Sequence, residues 1–510
     1  MNLKKLSVFA FVGALALTGC STAQEENLPA AGTVKPRVIV TCDPELDDNN
    51  SLIRYLLYSD GFETEGIIYA SSTHHWKGDG KGTHFSIDTG REIHEGTSWR
   101  WKEGERFIDE DVEAYEKVYE NLKVHNPNYP TPAALKAVIR EGNVMMEADM
   151  SFDTPGSDLI KQVLLDDDMR PLFLQVWGGP ATVARALKSI QDEYENTDQW
   201  EAVKTKINTK ARLCLSGAQD STYTAYIRPN WPELKSVIKN TGITPMGYGW
   251  KRGCAEPSDT LYYSAEWITA NMKGKGALSD NYRVWGDGKW MCPGDMADYF
   301  HLTSTREELI EQGFKVWSAI EAPGSFISEG DTPEFLNIIG NGLRAWENPT
   351  WGGWAGRQKE LSEREQKMGY TMSFASSNGS DDVMPVFVAD CQNSFAMRMA
   401  WCSTSDFSAV NHDPVVTGQL AVQAKAGETV KLNAKVSDPD NDPLTCSWSQ
   451  WKVYEAFQGD VTIADPASAA TTVTIPADAK TGDTIHLILT VKDNGTPQGT
   501  SYLRTVITIL

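Results

Sequence analysis

The apolar pattern changes character along the chain. Val38-Ile39-Val40 is a short continuous apolar run, the pattern of a strand buried on both faces. Leu52, Ile53, Tyr55, Leu56 and Leu57 follow at helical spacing and stop near Asp60-Gly61. Gly66-Ile67-Ile68-Tyr69-Ala70 is a second buried run, so the opening predicts a strand–helix–strand unit of a parallel sheet. The alternation continues with a helix over 157–165 and a strand over 171–177 stopped by Gly178-Gly179-Pro180. A helix over 182–190 then carries Val183, Ala184, Leu187 and Ile190 on one face, and a strand over 211–215 ends at Ser216-Gly217. Open α/β sheets build their sites at such strand ends.

After about residue 412 the texture is different. Alternating β-type runs over 420–424, 429–436, 444–451, 470–475, 484–491 and 505–510 are separated by turn clusters such as Asp438-Pro439-Asp440-Asn441-Asp442-Pro443. That spacing predicts an immunoglobulin-like sandwich. The alternating Asp438, Asp440 and Asp442 are read as a plain turn in preference to a cation site.

The first twenty residues carry Lys4 and Lys5, then an apolar run over 7–17 too short to span a bilayer, the pattern of an export signal. Leu17-Thr18-Gly19-Cys20 resembles the bacterial lipobox. The resemblance implies cleavage before Cys20, a lipid on its sulfur and an exported, membrane-anchored protein. The expected organisation is a signal peptide over 1–20, a small polar tether over 21–35, an α/β domain over 36–411 and the sandwich over 412–510.

The formal net charge of −22 supplies no basic field for nucleic acid and suits a neutral substrate or a bound cation. Seven cysteines remain besides Cys20, an odd number without a CxxC pair; Cys254 and Cys292, both in loop-like sequence, form the candidate disulfide. No GxSxG, Walker loop, HExxH or Rossmann glycine fingerprint accompanies a suitable strand.

The chemistry concentrates in Asp43-Pro44-Glu45-Leu46-Asp47-Asp48, four carboxylates in six residues at the end of the first strand. Adjacent carboxylates repel unless a cation or proton sits among them, and hard cations take several oxygens. The competing reading has Asp47 and Asp48 simply opening the helix and meeting its dipole. "VIVTCDPELDD" resembles the N-terminal signature of nucleoside hydrolases. With "GDTPEFLNIIGNGL", "WGGWAGR" and "CQNSFAMRMAWC", the chain from about 36 onward resembles exported nucleoside hydrolase-like proteins described as cellulose-binding, which carry an Ig-like C-terminal domain.

The resemblance implies a calcium ion held by Asp43, Asp48, the Gly178 carbonyl and Asp331. It implies Asp43 as acceptor of a proton from water and Asp47 as a sugar contact. Against the nucleoside hydrolase pattern, Thr41 stands in place of an Asp, Glu45 in place of a Gly, Gly330 in place of a His, and Thr73-His74-His75 in place of Gly-Asn. The cation cradle is thus expected to be kept and the nucleoside pocket rebuilt. Further candidates for substrate contact are His74 (of the pair with His75), Trp76, Gln219, Asp220 and Glu329, and Trp351 and Trp354 in the glycine-rich "WENPTWGGWAGR". The expected activity is calcium-dependent hydrolysis of a glycosidic bond; the rivals are a non-catalytic polysaccharide binder and a nucleosidase.

Overall fold

The computed structural model describes residues 35–90, 92–238, 245–252, 254, 256–360, 372–374, 384–453 and 456–510. The expected signal, Cys20 and all of the tether but Lys35 lie outside the described residues. Among the described residues no helix is long and apolar enough to cross a membrane.

Strand β1 (Arg37–Cys42) is buried at every position and lies between β2 (Glu63–Tyr69) and β6 (Leu172–Val176), both parallel to it. A small hairpin, β3 (Phe85–Asp88) with β4 (Ile93–Gly96), stands apart from the sheet. With β5 (Ile139–Glu141), β7 (Ala211–Leu215), β8 (Lys235–Ile238), β9 (Gln358–Glu360) and β10 (Met372–Phe374), the main sheet runs β5-β2-β1-β6-β7-β8-β10-β9. Only the β9–β10 pair is antiparallel.

The period-two alternation of β1 sorts its side chains between two cores. Val38, Val40 and Cys42 pack with helices α1 (Leu46–Leu57) and α2 (Phe107–His125). Ile39 packs with helices Pro155–Leu165 and Ala181–Tyr194 on the other face. Helix α1 begins at the acidic run itself, six residues ahead of its first apolar cluster. Every residue of α1 except Asp47 is buried, because helix Val388–Trp401 covers its outer face. The side chains of its Asn50, Ser51 and Arg54 are therefore satisfied internally. Asn50 donates to the Arg283 and Ser328 carbonyls, both at 3.1 Å, and accepts from the Arg283 N–H at 2.7 Å.

The C-terminal strands are β11 (Val415–Gly418), β12 (Ala421–Ala424), β13 (Thr429–Ser437), β14 (Thr445–Gln450), β15 (Thr462–Ile463), β16 (Ala470–Thr474), β17 (Thr484–Lys492) and β18 (Thr500–Ile509). They form two sheets, β11-β13-β16-β15 and β12-β18-β17-β14, around a core of their own. In the acidic turn, Asp438 Oδ1 accepts the N–H groups of Asp440 and Asp442 at 2.8 and 3.0 Å. Cys254 and Cys292 are both free thiols, so the expected disulfide does not form.

The sandwich is locked to the α/β part through backbone. Tyr502 and Arg504 of β18 donate their N–H groups to the Asn341 and Gly342 carbonyls at 3.0 and 3.1 Å. The buried Arg504 guanidinium donates to the carbonyls of Leu343 at 2.6 Å and Gly352 at 2.9 Å. Gly342 has φ +93°, and a Cβ there would lie 1.8 Å from the Tyr502 carbonyl oxygen. Gly342→Ala is expected to destabilise the protein by about 1–3 kcal/mol more than Gly482→Ala. Gly482 has φ +94° with open space around it, so the difference in thermal unfolding isolates the clash from the strain.

Candidate functional site: an acidic cluster at the end of the first strand

Asp43 follows β1 directly, and the turn into α1 is closed by its own N–H donating to Asp48 Oδ1 at 3.0 Å. Glu45 takes the N-cap position without a side-chain cap bond, and Asp47 and Asp48 occupy the first helical turn. Asp48 thus does hold the helix start, yet its other oxygen, Oδ2, is buried without a hydrogen-bond partner. Neither oxygen of Asp43 receives a well-formed hydrogen bond, although the Ser72 hydroxyl and the Glu45 N–H approach its carboxylate, and His75 Nδ1 likewise lacks a hydrogen-bond partner.

The Trp177 N–H donates to the Thr41 carbonyl at 2.9 Å and the Gly179 N–H to the Ser71 carbonyl at 2.8 Å. These bonds pin the turn after β6 across the ends of β1 and β2, where a Cβ on Gly178 would come within 3.0 Å of Asp43 Oδ2. His75 Nδ1 lies 3.4 Å from Asp43 Oδ1 and 3.9 Å from Glu45 Oε2. Ligand atoms of Asp43, Glu45 and His75 fall within 4.8 Å of one another, and so do those of Glu45, Asp47 and Asp48. Glu45, which the signature comparison marked only as a departure, joins the two groups.

Burial pushes the Asp43 carboxyl up to about 6. Burial, then the nearby charge of Asp331, raises Asp48 well above the carboxylate range, which places the late Asp331 beside the cluster as expected. Burial holds His75 neutral, down at about 3, so it offers a lone pair and no compensating charge. Buried oxygens short of donors, a neutral imidazole and a close glycine turn fit a hard cation such as calcium. Asp43, Asp48, Asp331 and the Gly178 turn are the residues that would hold it. Asp47, the half-buried acid, receives the Tyr248 hydroxyl and the Ser328 hydroxyl, each at 3.4 Å. A Cβ on Gly330 would sit 2.1 Å from Asp47 Oδ2, so Asp47 occupies the space a side chain at 330 would need.

The other sequence candidates divide. His74 is exposed, and it is its neighbour His75 that meets Asp43. Gln219 donates to the Trp177 carbonyl at 2.7 Å, and Asp220 accepts the Ala181 N–H at 2.9 Å. Both side chains hold the Gly178 turn from behind. Glu329 is fully buried in an ion pair with Arg54 and also accepts the Tyr282 hydroxyl at 2.5 Å, so its carboxylate is spent inside the fold. Trp76 is fully buried in edge contact with Phe85. Trp351 and Trp354 lie on the sandwich seam: the Trp351 carbonyl accepts from Trp451 Nε1 at 2.7 Å, and Trp354 packs edge-on against Tyr58. These three tryptophans fill core and seam because distant elements supply the apolar surroundings that their local sequence lacks. Tyr248 and Ser328 reach Asp47 from more than 200 residues away, which no local pattern signals.

Removing the Glu329 charge leaves the Arg54 guanidinium buried and uncompensated. Glu329→Gln is therefore expected to cost about 3–5 kcal/mol in chemical denaturation. A solvent-facing acid would give a change within about 0.5 kcal/mol.

Residues 37–358 match the family model "Cellulose-binding Sde182, nucleoside hydrolase-like domain", and residues 429–509 match "Cellulose-binding protein Sde0182, C-terminal domain". A solved structure described as a nucleoside hydrolase-related hypothetical protein from Saccharophagus degradans, associated with carbohydrate metabolism, is similar at 27% identity and TM-score 0.68. That alignment covers 94% of this chain and 100% of the other. A titin M3 domain aligns at 18% identity over 19% of this chain and 95% of its own, with a TM-score of 0.14 that carries no argument. No curated protein matches the chain. The match over 37–358, more than half of the chain, establishes that this protein belongs to the cellulose-binding Sde182 family with a nucleoside hydrolase-like domain.

Proposed function

We propose that this protein acts on carbohydrate at the acidic cluster, hydrolysing a glycosidic bond with calcium held by Asp43, Asp48, Asp331 and the Gly178 carbonyl. The observation that carries the reading is the pair of buried carboxylates, Asp43 and Asp48, whose oxygens are short of hydrogen-bond donors. The sugar class draws support from the family description and from the carbohydrate association in the similar structure's description.

Calcium, when bound, supplies positive charge that acidifies a water and engages sugar hydroxyls. Asp43 takes the proton from the attacking water; its raised proton affinity suits a general base. Asp47 accepts a hydrogen bond from the sugar, with Tyr248 and Ser328 fixing its carboxylate. Neutral His75 stands 3.4 Å from Asp43 Oδ1. Direct attack by water predicts inversion at the anomeric carbon. The exported, lipid-anchored location through Cys20 belongs to the same proposal.

A specific observation favours the second reading, a non-catalytic polysaccharide binder. Glu329 is committed to Arg54 and Gly330 has no side chain, so neither protonates a leaving group. The lack of a side chain at 330 also counts against efficient nucleoside hydrolysis.

On a panel of polysaccharides, the wild type should release product whose anomeric configuration is inverted, as read by proton NMR. Chelation or Asp43→Asn should lower turnover by about 10²–10⁴-fold. Calcium-dependent binding with no bond cleaved on any glycan replaces the hydrolase by the binder, and efficient inosine hydrolysis overturns both.

The cluster also sets a pH dependence. Because the folded carboxyl of Asp43 is raised, the cation-free fold keeps its full stability below the ordinary carboxylate range and loses some as pH rises through about 6. Calcium needs the ionised form, so the rise in Tm on adding calcium should be large at pH 7.5 and nearly absent at pH 5. A pH-independent shift would place the ion elsewhere.

A further inference from the structure

The acidic cluster is not the only concave feature at this edge of the sheet. Strands β2 and β5 end beside β1, at Tyr69 and Glu141. Above their ends, the segment carrying the β3–β4 hairpin and the start of α2 encloses a cavity of about 840 Å³. That is within the ~300–1,000 Å³ range of small-molecule sites. Adjacent strands lie about 4.8 Å apart, so the end of β5 is roughly 10 Å from the end of β1. The loop 75–77 separates the two features. His75 turns to Asp43, Trp76 is buried as the wall between them, and Lys77 lines the cavity.

Three properties of the lining point to one ligand class. The first is aromatic surface: Phe152, 45% exposed, offers its ring to the space, which an edge of the buried Trp101 also lines. The second is charge. Lys77 pairs with Glu141 at 2.6 Å and Lys102 with Glu105 at 3.4 Å, and Asp79, Glu103 and Asp153 also line the space, so no cation of the wall is left to receive an anion. The third is an unmet acceptor. The Glu105 side chain is only 1% exposed; its Oε1 accepts the N–H groups of Arg106 and Phe107 at 3.0 and 3.1 Å, while Oε2 is buried with no hydrogen-bond partner. A buried acceptor of this kind calls for a donor, and a hydroxyl on a ligand supplies one.

We propose that this cavity is a second carbohydrate site, which takes a neutral oligosaccharide stacked on Phe152 with a hydroxyl donated to Glu105 Oε2. It rests on the carbohydrate reading above but needs neither calcium nor catalysis. A divalent ion fits poorly, because Lys102 already stands against Glu105. The site lies about two strand spacings from Asp43, where it would hold one end of a glycan chain whose other end reaches the acidic cluster.

The test is calorimetric titration of cellotetraose into the full chain in excess EDTA, so that the acidic cluster holds no cation. The wild type is expected to bind. Phe152→Ala and Glu105→Gln are each expected to weaken binding by about tenfold, with Phe152→Ala keeping the wild-type Tm. Absence of binding by the folded wild type, or equal affinity in both variants, overturns the site. Glycan turnover by the wild type without cellotetraose binding in EDTA sinks this cavity alone. Variant-sensitive binding here without turnover on any glycan supports the cavity and sinks only the hydrolase reading.

Discussion

Two carboxylates, Asp43 and Asp48, are buried side by side at the end of β1 with oxygens short of donors, and His75, 3.4 Å from Asp43, is neutral. Such a pair is costly: desolvation and mutual repulsion both disfavour its ionised form. The surrounding fold prevents the acids from relieving that cost by turning to solvent. β1 is paired on both edges. The turn bearing Gly178 is tied down by Trp177, Gly179, Gln219 and Asp220. Helix α1 is fixed by the Arg54–Glu329 ion pair and by Arg54 donating to Gln392 at 2.6 Å. A rigid frame around unsatisfied oxygens is the arrangement expected of a site prepared for a cation.

The frame extends into the sandwich. Trp354 packs against Tyr58 just past the end of α1, and its Nε1 lies 3.4 Å from the Tyr502 hydroxyl on β18. The Tyr502 hydroxyl in turn donates to Asp390 at 2.5 Å, on the helix that covers α1. Tyr502 and Ile488 of the sandwich belong to the same apolar core as α1. The C-terminal strands therefore buttress the helix that carries Asp47 and Asp48. This gives "GNGL" and "WGGWAGR" a physical role: Gly342 permits close backbone approach, and the Trp351 and Gly352 carbonyls receive Trp451 and Arg504.

The sequence made legible those parts whose signal is local. Continuous apolar runs marked β1, β2, β6 and β7, and period-two alternation marked most of the sandwich. What stayed hidden depends on distant partners. Helix α1 reads as amphipathic, yet its polar Asn50 and Arg54 are buried because residues hundreds of positions away satisfy them. Glu329 looks like a free acid until Arg54 is placed beside it. Tryptophans set among glycines suggest open sugar platforms, but the sandwich closes over Trp354. The loops 77–82 and 97–105, which flank the β3–β4 hairpin and line the second cavity, lie in a segment between the first two recognisable α/β units. β18 begins at Thr500, earlier than its alternation suggests, because its first residues pair with the seam as well as with β17.

The proposed divalent cation among Asp43, Asp48 and the Gly178 turn is open to anomalous diffraction from crystals grown with calcium. One strong peak is expected about 2.3–2.6 Å from oxygens of Asp43 and Asp48 and from the Gly178 carbonyl. A clean map at saturating calcium with no peak there, or with the ion bound only elsewhere, would contradict it.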